Sequence, residues 1–212
     1  MPTVLLTGFD AFGGESLNPS WLAVKALHGR RVLGHKMVAA QLPTVFEASL
    51  PALQALLGEH APALVICVGQ AAGRGALSLE RVAINVNDAP MADNVGTRPI
   101  DTPVVQHAPA AYFTRLPIKA MLAALQHEGI AAEVSQTAGT FVCNHVFYGL
   151  MHTLTTNRQL RRTRGGFVHV PWLPEQGTPN MALDDMVRGL RVCVRSALKV
   201  QEDQVLGAGA TH

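Results

Sequence analysis

Cys143, in the stretch TAGTFVCNHVFYGL at residues 137–150, is the side chain that could most readily act as a reactive group. Apolar residues recur at helical spacing from Cys143 to Leu154, so one interpretation is an inert thiol in the core. The other interpretation is a nucleophile. Cys143 falls in the first turn of the predicted helix, where unpaired N–H groups and the positive end of the helix dipole favour a thiolate. The same N–H groups could donate to an oxyanion.

A cysteine nucleophile needs a base and a group that orients the base. Among the nine histidines, His169 fits best, because it lies in the short apolar strand GGFVHVPWLP, where an unpaired imidazole is unfavourable. A core histidine bonded to the backbone is the alternative interpretation. His145 and His152 share the predicted helix with Cys143, but we expect them on the surface or between helices.

Glu80 is the leading candidate for the orienting carboxylate, because it lies within the strand-like stretch LSLERVAIN. Asp10 and Asp88, in predicted loops, are alternatives. Sequence spacing does not choose among the three, since catalytic partners meet in space and not along the chain. The residues themselves therefore carry the hypothesis of a cysteine hydrolase.

Two other chemistries fit the sequence less well. Cys143, His145 and His152 offer soft metal ligands, but their spacing matches neither a helical zinc site nor a Cys-x-x-Cys knuckle, so no metal is expected. The stretch GQAAGRG, residues 69–75, resembles a phosphate-binding turn after a strand but lacks the dinucleotide and P-loop spacings. We interpret it as a loop whose backbone amides meet a small polar ligand.

The composition favours a single globular domain. The chain has 212 residues, of which 48% are apolar and 15% charged, with a formal net charge of +2. This length suits one packed core, and the apolar content excludes a disordered chain. No basic block is dense enough for a nucleic-acid groove, and no apolar run reaches the roughly 18 residues of a membrane helix.

The N-terminal stretch and the cysteines predict a cytoplasmic location. The start, MPTVLLTGFD, lacks the basic region of a signal peptide and reads as a first strand. The three cysteines are far apart and odd in number, which favours reduced thiols over a disulfide framework.

Strands and helices alternate along the chain, which predicts an α/β/α sandwich with helices on both faces of one twisted sheet. Asn18 is predicted to cap a first helix that begins at Pro19. We expect one domain over residues 1–201 and a frayed tail over 202–212. Further predicted elements are strands at 31–41, 63–69 and 131–135, helices at 117–128, 143–155 and 179–200, and a long loop from 88 to 117.

Five stretches together resemble the pyroglutamyl peptidase I (pyrrolidone-carboxylate peptidase) family of cysteine peptidases. They are LLTGFDAFGG…NPS, GQAAGR…ERVAIN, DNVGTRPID, TAGTFVCNHVFYG and GFVHVPWLPEQ, in family order over residues 4–176. TFVCNHVFYG together with HVPWLPEQ is the most specific match. The resemblance implies one α/β/α domain with a mixed sheet, assembled as a homotetramer or homodimer, in the cytoplasm and without metal or cofactor.

The reaction that the resemblance implies is hydrolysis after an N-terminal pyroglutamyl residue of a peptide, through a thioester. Cys143 then corresponds to the nucleophile, His169 to the base and Glu80 to the acidic partner. The same resemblance implies a substrate pocket of apolar walls and lactam-binding polar groups, formed by Phe9, Phe12, Asn18, Thr44, Gln70, Met91, Phe141 and Val142.

The chain departs from the family pattern where Pro90 stands in place of an arginine, and Ala72 in place of a glycine. The first change leaves oxyanion stabilisation to the backbone amides near Cys143 and predicts lower activity. Two alternatives stay open at this point. One is a nucleoside phosphorylase-like enzyme, and the other is a non-catalytic relative that binds the lactam without turnover.

Overall fold

Nine β-strands form the scaffold of the structure, a computed structural model that describes residues 2–209. Seven of them make one sheet, and β6 and β7 make a separate two-stranded ribbon. In chain order they are β1 (Thr3–Phe9), β2 (Arg31–Val32), β3 (His35–Leu42), β4 (Leu64–Gln70), β5 (Leu77–Glu80), β6 (Val82–Ile84), β7 (Ala111–Phe113), β8 (Ala132–Ser135) and β9 (Arg164–Val170).

The helices cover both faces of the sheet. Within residues 2–209 they are α1 (Pro19–Lys25), α2 (Phe46–His60), α3 (Ile118–His127), α4 (Val142–Thr156) and α5 (Leu183–Lys199), with a short 3₁₀ helix at Arg158–Leu160. One apolar cluster joins α2 and α4 to the sheet, and a second joins α1, α3 and α5 to it. None of these helices is both long and apolar enough to cross a membrane.

The sheet is mixed, with the order β2-β3-β1-β4-β9-β5-β8. Strands β3, β1, β4 and β9 are parallel, whereas β5 runs antiparallel to β9 and parallel to β8. The predicted α/β/α sandwich is confirmed: a mixed sheet lies between two layers of helices. The carboxyl ends of β1, β4 and β9 meet at one edge, where ligands bind in open α/β sheets.

The central strand β4 explains why the prediction for residues 63–69 holds. Its residues from Leu64 to Gly69 are all buried, and it pairs with β1 on one side and β9 on the other. A strand covered by helices on both faces reads as a continuous apolar run, which is the pattern VICVG of this segment.

The start of α1 sits against β1 through a glycine and a capped turn. The Asn18 side chain accepts a hydrogen bond from the Ser20 N–H at 3.0 Å, and Pro19 opens the helix, as predicted. A Cβ on Gly8 would lie 2.6 Å from the backbone of Trp21, so only glycine allows this approach.

The prediction of a single strand over residues 31–41 is wrong. The segment folds into the hairpin of β2 and β3, which are antiparallel. Its two turn residues, Leu33 and Gly34, both have positive φ, at 48° and 79°. Two such residues form the tight turn that matches the twist of a hairpin, and Gly34 is the residue that makes it possible.

The segment after α5 lies against α3. The predicted helix 179–200 spans Leu183–Lys199, and the tail predicted to fray is described only as far as residue 209. Within it, the Asp203 carboxylate accepts from the backbone N–H groups of Lys119 and Ala120, at 3.0 and 2.9 Å. These groups belong to the first turn of α3, so Asp203 supplies a cap from 83 residues away.

Candidate active site

Strand register brings His169 and Glu80 to the same face of the sheet. Ser78 of β5 stands directly opposite His169 of β9 in the antiparallel pair. Opposite side chains share a face and side chains alternate along a strand, so Glu80 lies diagonally from His169 on that face. This spacing is within reach of two long polar side chains.

A hydrogen bond joins the two side chains. His169 Nδ1 donates to Glu80 Oε1 over 2.8 Å. Glu80 is fully buried, and His169 is only 4% exposed. Because a carboxylate only accepts, it fixes the proton of the neutral imidazole on Nδ1 and leaves Nε2 free to accept one.

The two rival acidic residues are held by contacts elsewhere. Asp10 Oδ1 accepts from the Thr44 N–H at 2.7 Å and from the Asn94 side chain, which fixes the loop after β1. Asp88 bonds Thr140 through its backbone N–H and carbonyl. Of the three candidates, Glu80 is the one that meets His169.

Arg74 is a member of the site that the sequence analysis left without a role. It lies in the turn after β4, and its Nη1 donates to the same Glu80 oxygen at 2.7 Å. Its Nη2 donates to the carbonyl of Thr137 at 3.1 Å. The signal in the sequence was an arginine in the glycine-containing turn that follows a buried strand, but its partners lie on other elements.

The thiol of Cys143 occupies the space that a glycine leaves open. Gly69 of β4 is the register neighbour of His169, and a Cβ there would lie 2.7 Å from Cys143 Sγ. The same Cβ would meet the Phe167 ring at 2.8 Å. The absence of a side chain at Gly69 therefore lets the start of α4 bring its thiol down to the sheet, beside His169.

Burial disfavours the ionised form of Cys143 in the free protein. Burial raises the pKa of its thiol to about 12, the charge of Glu80 raises it further, and the charge of Arg74 opposes this. Burial therefore opposes the effect expected of the helix N-terminus, which on its own favours a thiolate. Ionisation requires a base, and Nε2 of His169 is the candidate.

The first turn of α4 presents free backbone donors beside the thiol. Its first backbone bond of helical type runs from the His145 N–H to the Phe141 carbonyl at 3.1 Å. Phe141, at the N-cap position, makes no side-chain cap. The N–H groups of Val142, Cys143 and Asn144 precede that bond and can donate to an oxyanion formed at Cys143.

The two residues after Cys143 anchor this turn. Asn144 bonds both the N–H and the carbonyl of Ile84 with its side chain, at 3.0 and 2.9 Å. His145 Nδ1 lies 3.0 Å from Asn87 Oδ1, and burial lowers the pKa of its imidazole to about 4. His145 is 8% exposed and packs edge-on against Phe46 of α2, so of the two predicted locations the inter-helix one is correct.

A cavity of about 430 Å³ opens in front of Cys143 and His169. Seven of the eight side chains predicted to bind substrate line it: Phe9, Phe12, Asn18, Thr44, Gln70, Phe141 and Val142. Met91 does not line it and is 49% exposed. Pro90, the residue before it, lines the cavity instead.

The polar walls of the cavity are held by the protein itself. Asn18 Nδ2 donates to the Asp10 carbonyl at 2.9 Å, while its Oδ1 accepts from Ser20. Thr44 Oγ1 donates to the same carbonyl at 3.3 Å. Within residues 2–209, no three His, Cys, Asp or Glu side chains cluster as a metal site requires.

Comparison with known proteins agrees with this geometry. Residues 2–200 match the sequence profile of the family described as Pyroglutamyl peptidase. The chain belongs to the pyroglutamyl peptidase family. Two pyrrolidone-carboxylate peptidases, from Bacillus cytotoxicus and Cupriavidus taiwanensis, are 51% and 55% identical to it, with full coverage of both chains in each case. The crystal structure of pyroglutamyl peptidase I from Bacillus amyloliquefaciens matches with a TM-score of 0.94 at 46% identity, over 98% of this chain and 100% of that one.

Family membership confirms the resemblance drawn from the five sequence stretches and makes the chain a cysteine peptidase. It also removes the nucleoside phosphorylase-like alternative. The glycine-containing turn at residues 69–75 does not need a phosphate to explain it, since Gln70, Ala71, Ala72 and Arg74 line the same cavity as Cys143.

Gly69→Ala tests the close approach of α4 to the sheet. We expect the added methyl to displace Cys143 Sγ and to lower kcat/KM on a pyroglutamyl amide by about a hundredfold, because misplacing a reacting group by about 1 Å has effects of this size. Steady-state kinetics measure it. Gly58→Ala is the matched control, since a Cβ at Gly58 in α2 meets nothing within 4 Å. Equal activity of the two variants would contradict the packing account.

Proposed function

We propose that the chain removes N-terminal pyroglutamyl residues from peptides, with Cys143 as nucleophile, His169 as general base and Glu80 as the orienting carboxylate. One observation carries these assignments. The Glu80–His169 hydrogen bond of 2.8 Å lies at the wall of the cavity into which Cys143 opens. That bond aims the basic Nε2 of His169 away from Glu80, as the nucleophile requires.

The cavity suits an uncharged ring better than a free amino terminus. The side chains that line it among the described residues include Phe9, Phe12, Phe141 and Val142 but no carboxylate. A peptidase that recognises a free α-ammonium group needs a negative partner for it, because an unpaired charge is expensive to bury. A pyroglutamyl lactam is uncharged, and apolar walls with a few fixed polar groups can hold it.

We assign recognition of the lactam to Asn18 and to the backbone of Gln70. Hydrogen bonds to Asp10 and Ser20 hold the Asn18 amide in place, which leaves its second N–H for a ligand. An N-terminal proline has the same ring size but lacks the ring carbonyl and carries a charge. It would leave buried polar groups of the site unpaired, and this rejects it.

Hydrolysis then proceeds in two steps. His169 Nε2 takes the proton of the Cys143 thiol as sulfur attacks the pyroglutamyl carbonyl carbon, and the α4 N–H groups stabilise the oxyanion. The carbon–nitrogen bond breaks, the leaving amine takes the proton from His169, and a thioester remains. His169 next takes a proton from water, which attacks the thioester, and the thiol regains a proton as pyroglutamate leaves.

Pro90 stands at the position where the family pattern has an arginine. Pro90 lines the cavity and has neither a backbone N–H nor a side-chain donor. In our proposal, stabilisation of the oxyanion therefore falls to the uncapped first turn of α4.

We further propose that the protein works in a reducing compartment, the cytoplasm, and as a homodimer or homotetramer. Cys67, Cys143 and Cys193 are free thiols. Within the 88–117 segment and the adjoining ribbon, four large apolar side chains are 49% to 71% exposed: Met91, Val95, Ile100 and Phe113. Large apolar side chains left this exposed are typical of residues that a protein interface covers.

Light scattering tests the assembly. We expect a mass two or four times the chain mass of 22.6 kDa, and a lower mass for Phe113→Glu, because the charge would be buried at the contact. Leu33→Glu, at a residue that is 51% exposed in the β2–β3 turn, is the control. A monomeric wild type contradicts the proposal.

A fluorogenic pyroglutamyl amide tests the activity. We expect the wild type to release the fluorophore, and Cys143→Ala to lower kcat by at least about a thousandfold, because the covalent route is lost. Cys193→Ala, on the opposite face of the sheet, is the matched control. The corresponding prolyl amide should not be cleaved. Binding of the pyroglutamyl amide by the wild type without release of the fluorophore would instead identify a non-catalytic lactam binder.

A further inference from the structure

The guanidinium of Arg74 connects three segments around the proposed triad. From the turn after β4, Nη1 donates to Glu80 Oε1 at 2.7 Å, at the end of β5. The same nitrogen lies 3.3 Å from Ser135 Oγ, at the end of β8. Nη2 donates to the Thr137 carbonyl at 3.1 Å, in the loop that leads to Cys143. No other side chain of the site contacts all three segments among the residues that the structure describes.

Arg74 also supplies the charge that Glu80 needs. The Glu80 carboxylate has no exposed surface, and a buried carboxylate is stable in its ionised form only beside an opposite charge. The form of His169 that can act as a base is the neutral imidazole, whose hydrogen bond supplies no full charge. The Arg74 guanidinium is permanently protonated and reaches the same oxygen.

The proton balance of the pair therefore depends on Arg74. The ionisable groups that the structure brings to Glu80 and His169 are Arg74 from the turn after β4, Cys143 from α4 and, beyond it, Cys67 from β4. A fixed positive charge disfavours an added proton on either member of the pair. As long as Glu80 stays ionised, it holds the Nδ1 proton of His169 and keeps Nε2 available.

We propose that Arg74 is a positioning residue of this peptidase, which keeps Glu80 ionised and in place so that His169 presents an unprotonated Nε2 to Cys143. This inference rests on the proposed function. Arg74 acts through Glu80 and not through the substrate, although part of its side chain lines the cavity. Its bond to Thr137 ties the same charge to the loop that enters α4.

The test compares Arg74→Gln and Arg74→Lys with the wild type. Arg195→Gln is the matched control, since Arg195 also contacts a carboxylate oxygen at 2.7 Å, that of Glu128 on the surface. Three quantities are measured from about pH 5 to about pH 9, the range in which an essential histidine titrates. They are kcat and KM for a pyroglutamyl amide, and the ¹⁵N NMR titration of the His169 ring.

Removal of the charge lets the Glu80–His169 pair take up a proton at higher pH. For Arg74→Gln we expect the acid limb of kcat/KM and the His169 NMR midpoint to rise by about one pH unit or more, as for loss of an opposite charge at this distance. We expect kcat to fall at least about tenfold, while KM changes little. Arg74→Lys should restore the acid limb but only part of kcat, because a lysine cannot bond Glu80 and Thr137 together.

Several results would overturn the proposal. An acid limb and an NMR midpoint equal to those of the wild type and of Arg195→Gln would leave Arg74 a structural residue. A raised KM with unchanged kcat would make it a substrate-binding residue. If the wild type did not cleave the amide, the proposed function would fail, but the NMR titration would still decide the role of Arg74. Arg74→Met, which keeps the aliphatic stem, replaces the glutamine variant if that does not fold.

Discussion

A single buried oxygen, Oε1 of Glu80, organises the active-site end of this protein. It accepts from His169 at 2.8 Å and from Arg74 at 2.7 Å, in a position without solvent. Because an isolated buried carboxylate is strongly unfavourable, the two donors and the acceptor hold one another in place. The surrounding fold serves this contact. Antiparallel pairing of β5 with β9 sets Glu80 diagonally from His169, and the turn after β4 returns Arg74 to the same point.

The position of the proposed nucleophile depends on a glycine as well as on side-chain contacts. Gly69 leaves room for Cys143 Sγ, and Asn144 and His145 fasten the start of α4 to the segment that follows β5. The same close packing raises the pKa of the thiol to about 12. Burial thus opposes ionisation of the free thiol, and in our proposal His169 accepts the proton as Cys143 attacks the substrate.

Local patterns in the sequence predicted much of the architecture. The apolar run of β4, the Asn18–Pro19 start of α1 and the alternation of strands and helices were sufficient for the sandwich, because each depends on neighbouring residues. The hairpin at residues 31–41 was missed, although Gly34 marks its turn. The Asp203 cap could not be found, since its partners on α3 are more than 80 residues away along the chain.

The candidate site, like the fold, could be predicted from the sequence only in part. Cys143 and His169 were recognisable from their local settings, but the choice of Glu80 over Asp10 and Asp88 required the strand register or the family resemblance. The partners of Arg74 and Asn144 lie on other elements, so the local sequence does not reveal the contacts that these two residues make. Met91 was predicted to line the cavity by resemblance alone, and in the structure Pro90 lines it instead. The state of the thiol depends on burial, which helical spacing does not reveal.

The pH dependence of Cys143 alkylation tests the central claim most directly. Iodoacetamide reacts with the thiolate, so a thiol with a pKa of about 12 should react about tenfold faster for each unit of pH through the neutral and mildly alkaline range. Intact-mass spectrometry follows the reaction, and Cys143→Ser reports any labelling of the buried Cys67 and Cys193. The account predicts this continuous rise. A rate that is already constant at neutral pH would reveal a preformed thiolate and would contradict it.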